Sequence, residues 1–406
     1  MITNDAVILG LLSVTLGAIF WSTQSQHPFW RTFYRYIPAL LLCYLLPAVY
    51  NTLGLIDGSN SALYPIASRY LLPATLVLLT LSIDLPAIAR LGSKAIVLFL
   101  TGTAGIVLGG PFVLWLWSWI SPETVAGDVW RGMATLAGSW IGGSANQTAM
   151  KEVFDVDANL FGMFVAVDIL VASLWMAFLL YLAGRSDEID AKRGADRTAI
   201  LMLCEKMARF EAEHARIPRL ADLMFVLAVG FGASGVAHFL GRPLAASFAG
   251  AVWAERLSLA SDFFWIVVLA TTIGVLLSLT PARRLEGVGA SKIGTVLLYI
   301  LIASIGMHMD LGALRDNPGL FAVGATWILC HGALMYVVAR LLRAPVFYFA
   351  VGSQANIGAA ASAPVVASAF HPSLAPVGVL LAVLGYALGT YGAWVCAQLM
   401  RLVAGQ

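Results

Sequence analysis

The sequence predicts an all-α membrane protein with 12 or 13 transmembrane helices in two related halves. Three observations carry this expectation. Of 406 residues, 60% are hydrophobic and only 11% are charged, whereas soluble domains carry about 25% charged residues. Runs almost free of charge recur along the chain, many near the roughly 20 residues that cross a bilayer. Two stretches rich in Gly, Ser, Asn and Gln, "AGSWIGGSANQTAM" (137–150) and "VGSQANIGAAASAP" (351–364), interrupt apolar runs at matching places.

The first run, Ala6–Ser22, has no basic residue before it and no small-residue cleavage site, so it reads as a retained helix rather than a signal peptide. Tyr36–Gly54, Ser61–Ile83, Ala95–Ile120, Gly132–Met150 and Ala158–Gly184 follow. The segment from Arg185 to Arg219 holds "RSDEIDAKR" and "EKMARFEAEHAR" and is too polar to cross. Apolar runs resume at Leu223–Gly241, Pro243–Ala254, Phe263–Ala282, Ile293–Met309 and Gly319–Ala339. The last, Ala344–Met400, splits into two helices near His371-Pro372. Pro243–Ala254 is short for a crossing, which leaves the count at 12 or 13.

The halves share landmarks in one order. "LSIDLPAIAR", with Asp84, corresponds to "GMHMDLGALR", with Asp310; a plain apolar helix, a polar interruption and a long closing helix follow in each. This divides the chain into an extra N-terminal helix (1–30), a first repeat (31–184), a polar linker with connecting helices (185–256) and a second repeat (257–406). Orientation pulls two ways. Twelve crossings put the basic linker in the cytoplasm, as the positive-inside rule prefers, but make the repeats parallel. Thirteen invert the repeats and put the short basic loops inside, but leave the linker outside.

Polar residues inside an apolar run need a reason. Backbone groups in hydrocarbon must be bonded within the protein, and a Gly-Gly-Ser-x-Asn-Gln stretch weakens a helix while offering side chains to replace lost bonds. Helix breaks are therefore expected near Gly142–Asn146 and Gln354–Gly358. Paired interrupted segments point to a transporter site. Close packing by small residues explains the glycines and alanines but not the amides.

With these interruptions, the Asp-Leu landmarks and the central linker, the chain resembles the YjcL-like family of bacterial membrane proteins. That family is grouped with the cation:proton antiporter and sodium–bile acid symporter superfamily. The resemblance implies a bacterial inner-membrane protein with two inverted repeats of five helices, each giving two helices to a panel domain and three to a core domain. Two broken helices, here about 132–150 and 346–368, would cross in the core and hold substrate and coupling ion. The paired acidic residues of electrogenic sodium/proton antiporters are absent, and only Asp168 lies deep in the corresponding helix, which favours solute transport.

The expected substrate-binding residues are Ser144, Asn146, Gln147, Ser353, Gln354 and Asn356. Asp168, with Thr148, is expected to couple transport to an ion, because an ionisable group in mid-membrane is expensive unless compensated. Na⁺ would bind near Asp168 and Asn146, and no other cofactor is expected. His308 and His331 read as hydrogen-bonded bundle residues. The function this favours is secondary active transport of a small organic solute (organic anion, amino acid or small peptide) coupled to Na⁺ or H⁺. The alternative is a cation/proton antiporter. An intramembrane enzyme ranks below both, because the chain has no GxSxG, HExxH or GxxxxGK[ST] motif. The four cysteines (Cys43, Cys204, Cys330, Cys396) form no CxxC pair. The expected partners are a small-molecule substrate and the lipid bilayer. Homodimerisation is left open, and a net charge of +2 gives no reason to expect nucleic acid.

Overall fold

The computed structural model describes residues 1–37, 39–58, 60–193, 218–308, 317–371 and 374–405. Asp310 and most of the charged linker lie outside the described residues. Among the described residues no strand is present, and one isolated bridge pairs Ile2 with Ile56. The principal helices are α1 (Asp5–Thr23), α2 (Ala39–Thr52), α3 (Leu63–Leu81, with a π-helical turn at Ala67–Leu71), α4 (Ser93–Ile120), α5 (Val129–Val153) and α6 (Ala158–Gly184). Then come α7 (Leu220–Ser247), α8 (Asp262–Ser278), α9 (Ala290–Gly306), α10 (Gly319–Leu341), α11 (Val346–Ile357), α12 (Ala359–Phe370) and α13 (Ala375–Val403).

The chain is an all-α membrane protein. Seven helices (α1, α3, α4, α6, α7, α10 and α13) are long and apolar enough to span, and two bent pairs containing α2 and α8 raise the number to nine among the described residues. The expected 12 or 13 is too high for two reasons. Pro243 sits inside α7 instead of opening a new span, and only the five-residue helix Val252–Arg256 follows it. The two polar-rich segments do not cross; each folds back on itself.

The fold-back is explicit in the contacts. Arg131 Nη1 donates to the Phe154 carbonyl at 3.4 Å, and the Trp130 and Phe154 rings are 5.7 Å apart. In a straight helix residues 131 and 154 would stand ~34 Å apart, at 1.5 Å per residue. The turn is at Gly143 (φ 74, ψ −174), a backbone region that is essentially glycine-only. A Cβ on Gly138 would meet the Asn146 carbonyl at 2.6 Å, so the two arms lie against each other. The second segment does the same. Helix α11 ends at Gly358, Ala359 takes φ 48, and α12 returns until Phe370 stacks edge-on with Phe347 at 5.4 Å. The interruptions therefore fall where the glycines predict, but they make re-entrant hairpins instead of the two crossing broken helices.

Contacts also give direction. Helices α4 and α10 are antiparallel, pairing Gly102 with His331, Ile106 with Trp327 and Thr124 with Asn317. Helix α6 runs with α10, Val167 meeting Gly324 and Trp175 meeting Gly332. Helix α6 also runs with the 129–142 arm: Gly132 faces Phe164, and Ser139 and Trp140 reach Asp168. Helix α13 runs against that arm, with Arg401 over Trp130 and Gly385 against Ile141. One hairpin thus enters from the end of the bundle where the termini lie, the other from the end where the linker leaves α6.

The helices pack in two groups. Helices α1, α2, α3, α7, α8 and α9 pack chiefly on each other, and α4, α5, α6 and α10–α13 form the second group around both hairpins. Small residues permit close approach in the second group: a Cβ on Gly389 would lie 2.7 Å from the Gly142 Cα. Asp84 is a cap, accepting from the Ala87 N–H at 3.0 Å and pairing with Arg283.

Candidate functional site

A cavity of about 460 Å³ lies between the two groups. One wall is Leu40 of α2, Leu79 of α3 and Thr295, Leu298 and Tyr299 of α9. The other is built from the two hairpin tips (Gly143 to Ala145, and Ile357 to Ser362), Asp168 of α6 and Tyr386 of α13. Leu40, Leu79 and Thr295 lie near the linker-end limits of their helices, so the cavity reaches from mid-bundle towards that end. At each tip a helix stops and another starts. Free carbonyls of arm 129–142 and of α11 converge with free N–H groups of arm 144–153 and of α12, bringing partial charges of both signs together.

Asp168 is held from the first hairpin. The Ser139 hydroxyl donates to one carboxylate oxygen at 2.5 Å and the Trp140 indole N–H to the other at 2.8 Å. Gln354 Nε2 donates across its own tip to the Ser362 hydroxyl at 2.6 Å, while its Oε1 is buried with no partner. Ser144, Asp168 and Gln354 thus share one cavity.

Asn146, Gln147, Thr148, Ser353 and Asn356 do not line it; all five are buried among helices. The two asparagines make one bonding pattern. Asn146 Nδ2 donates to the carbonyl four residues back, Gly142, at 2.9 Å and to Tyr386 of α13 at 3.0 Å; its Oδ1 accepts from Thr390, one turn further along α13, at 2.7 Å. Asn356 Nδ2 donates to Gly352 and to Phe99 of α4, both at 3.0 Å, and its Oδ1 accepts from Thr103, one turn further along α4, at 2.8 Å. These amides clamp the hairpins to neighbouring helices. Asn146, whose oxygen accepts from Thr390, thus lies outside the cavity that Asp168 lines. Among the described residues no group of three or more His, Cys, Asp or Glu could hold a metal.

Ser353 is a relay. It accepts from the Trp175 indole at 2.8 Å and meets His331 Nε2 at 2.8 Å, while His331 Nδ1 meets the Gly102 carbonyl at 2.9 Å. A proton on Nδ1 satisfies every group, with the Ser353 hydroxyl donating to Nε2. Thr148 donates to the Ser144 carbonyl at 2.9 Å. Gln147 keeps a buried Nε2 without a partner.

The termini end carries a cluster that the sequence reading missed. Lys151 Nζ donates to the Tyr64 hydroxyl, the hydroxyl donates to Glu152, and Nζ stands 4.5 Å from the Tyr64 ring centroid and 3.4 Å from Glu152. The His308 ring lies against Tyr64, tilted by 58°, with centroids 5.1 Å apart. Tyr64 belongs to the first group of helices and Lys151 to the first hairpin, so these bonds tie the groups together at that end. Lys151 was hidden by its position one residue beyond the apolar run. The family model described as "Protein of unknown function (DUF819)" matches residues 10–403. The chain belongs to the DUF819 family. A relative of similar length is the "Uncharacterized membrane protein YjcL" of Bacillus subtilis (strain 168), 23% identical over 354 residues that cover 84% of this chain and 85% of the relative. Family membership and the long apolar helices agree on a multi-pass membrane protein.

Proposed function

We propose that this DUF819 protein is a secondary active transporter of a small organic solute, not an enzyme. It works by alternating access in the bacterial inner membrane and is coupled to Na⁺ or H⁺ through Asp168. The observation that carries this reading is the meeting of two oppositely inserted hairpin tips at a cavity between two helix groups, with Asp168 on its wall. Half-helix ends at mid-membrane beside an ionisable group form a recurring transporter arrangement.

Counting each hairpin as no crossing supports the rest of the architecture. Helix α8 is then the fifth crossing after α2, with α3, α4, α6 and α7 between them, and an odd step inverts the two repeats. Helices α2, α3, α8 and α9 fit a panel domain, and α4–α6 with α10–α13 fit a core domain. Placement beside the cation:proton antiporters and bile acid symporters rests on the same arrangement. The same count supports one orientation. Arg31, Arg90, Lys94, Arg185, Arg219, Arg283, Arg284, Arg340 and Arg343 fall at the linker end with Asp84, Asp187, Glu188, Asp190, Asp222 and Glu286, while Arg131, Lys151, Arg242, Arg256 and Arg401 fall at the termini end with Asp5, Asp57, Glu123, Asp128, Asp155, Asp157 and Glu255, so the positive excess is at the linker end. The positive-inside rule then puts the linker end in the cytoplasm and both termini outside, with the cavity facing inwards.

Accessibility tests this reading without knowledge of the solute. In a background lacking the four native cysteines, Ala360→Cys should react with a membrane-impermeant maleimide from the cytoplasmic face and be protected from outside. Tyr64→Phe combined with Lys151→Met should shift part of that reactivity outwards. A cysteine that is unreactive from both faces, or unmoved by the double substitution, would count against alternating access.

A further inference from the structure

Within that transport reading, we infer that the solute is a zwitterion of the amino-acid type, its ammonium group at Asp168 and the Gln354 carbonyl oxygen, its carboxylate at the start of α12.

The cavity is bipolar. Asp168 is the one charged side chain among its lining residues, and no Lys or Arg joins it. Gln354, 1% exposed, brings to the same wall a carbonyl oxygen with no partner. An unpaired buried acceptor is costly, and with a carboxylate on the same wall it suits a ligand that donates from a positive group. A ligand that is only anionic would bring its charge to Asp168 with no cation to offset it. A ligand that is only cationic would leave the other pole unused. That pole is the first turn of α12, a 12-residue helix whose Ala360, Ala361 and Ser362 line the cavity, where free N–H groups favour a carboxylate. The side chains of that turn leave the N–H ends open: the Ser362 hydroxyl turns back to the Gly358 carbonyl at 3.1 Å. About 460 Å³ holds an amino acid with a sizeable side chain, and the opposite wall of Leu40, Leu79 and Leu298 is apolar enough to receive it.

The test is thermal unfolding of the purified full-length chain in detergent with Na⁺ held constant. Three matched sets of ligands are compared: the free amino acids, their N-acetyl derivatives and their amides. One or more free amino acids should raise the melting temperature, and the matching N-acetyl and amide forms should give less than half that shift. Gln354→Leu should weaken the best ligand by about tenfold or more, the usual worth of a hydrogen bond to a charged group. Equal stabilisation by an N-acetyl amino acid or a dicarboxylate, equal stabilisation by an amide, or no stabilisation by any free amino acid would each overturn the assignment. If Gln354→Leu fails to fold, the analogue series decides alone. The cysteine-accessibility measurement needs no ligand, so failure of the zwitterion assignment and failure of the transport reading are distinguishable.

Discussion

Gly143 and Ala359 stand tip to tip: a Cβ on Gly143 would lie 3.0 Å from the Ala359 Cβ. Both residues have positive φ, 74 and 48 respectively. Gly143→Ala should therefore cost about 1–3 kcal/mol from backbone strain, and more from the contact. Ala359→Gly removes the opposing methyl and a left-handed penalty of roughly 1–2 kcal/mol. In thermal unfolding the pair should be non-additive, with Gly143→Ala milder by at least about 0.5 kcal/mol in the Ala359→Gly background. Strict additivity would mean that the tips do not touch.

The buried clamps should matter for stability more than the cavity wall does. Asn146→Ala removes the bonds to the Gly142 and Tyr386 carbonyls and the Thr390 hydroxyl, and Asn356→Ala removes those to Gly352, Phe99 and Thr103. Each should cost about 0.5–1.5 kcal/mol per lost hydrogen bond. Ser353→Ala strands Trp175 and His331 together and belongs with them. Ser144→Ala, on the cavity wall, should change the melting temperature far less. Comparable losses for all four variants would refute the division into clamp and wall.

Asp168→Asn keeps the shape and removes the charge. The Trp140 indole N–H can donate to the amide oxygen and the Ser139 hydroxyl can accept from the amide N–H, so the chain should fold. Proteoliposomes carrying the variant should lose accumulation driven by a Na⁺ or pH gradient, and solute exchange should weaken with it, because the solute's ammonium group loses its carboxylate partner. Unchanged accumulation would make Asp168 a structural acid.

Sidedness can be read with two surface cysteines. Ala126, in the loop after α4, and Gly184, at the end of α6, are both exposed. Ala126→Cys should label in intact cells, and Gly184→Cys only after permeabilisation. The reverse pattern would invert the molecule in the membrane and make the cavity outward-facing.

Much of this was legible in the sequence. The bilayer as solvent followed from composition, and both helix interruptions from Gly143 and Gly358 among small polar neighbours. The fold-back was not legible, because a hydropathy run records how many apolar residues there are and not which way they travel. Only the meeting of Arg131 with Phe154 and of Phe347 with Phe370 reveals it. The division of labour among amides was hidden for a related reason. Asn146, Asn356 and Gln354 look alike as residues, and whether one lines a cavity or clamps two helices depends on a neighbour far away in the chain, Thr390 or Thr103. Lys151 escaped because its burial comes from Tyr64 and Phe161 closing over it.

The clamps also limit how such a molecule can move. Asn146 fastens one hairpin to α13, Asn356 fastens the other to α4, and Ser353 adds α6 and α10. Swinging either hairpin aside would tear polar bonds open in hydrocarbon, where nothing replaces them. Sliding the whole block past the other helix group disturbs mainly apolar side chains, plus a polar latch at Tyr64 and the α8–α13 bonds of Thr271 with Thr390 and Thr272 with Tyr391. On the transport reading proposed above, the economical motion is that of a lift rather than a door: the binding site rides inside a rigid car along a mostly greased wall, and the latch marks one of its floors.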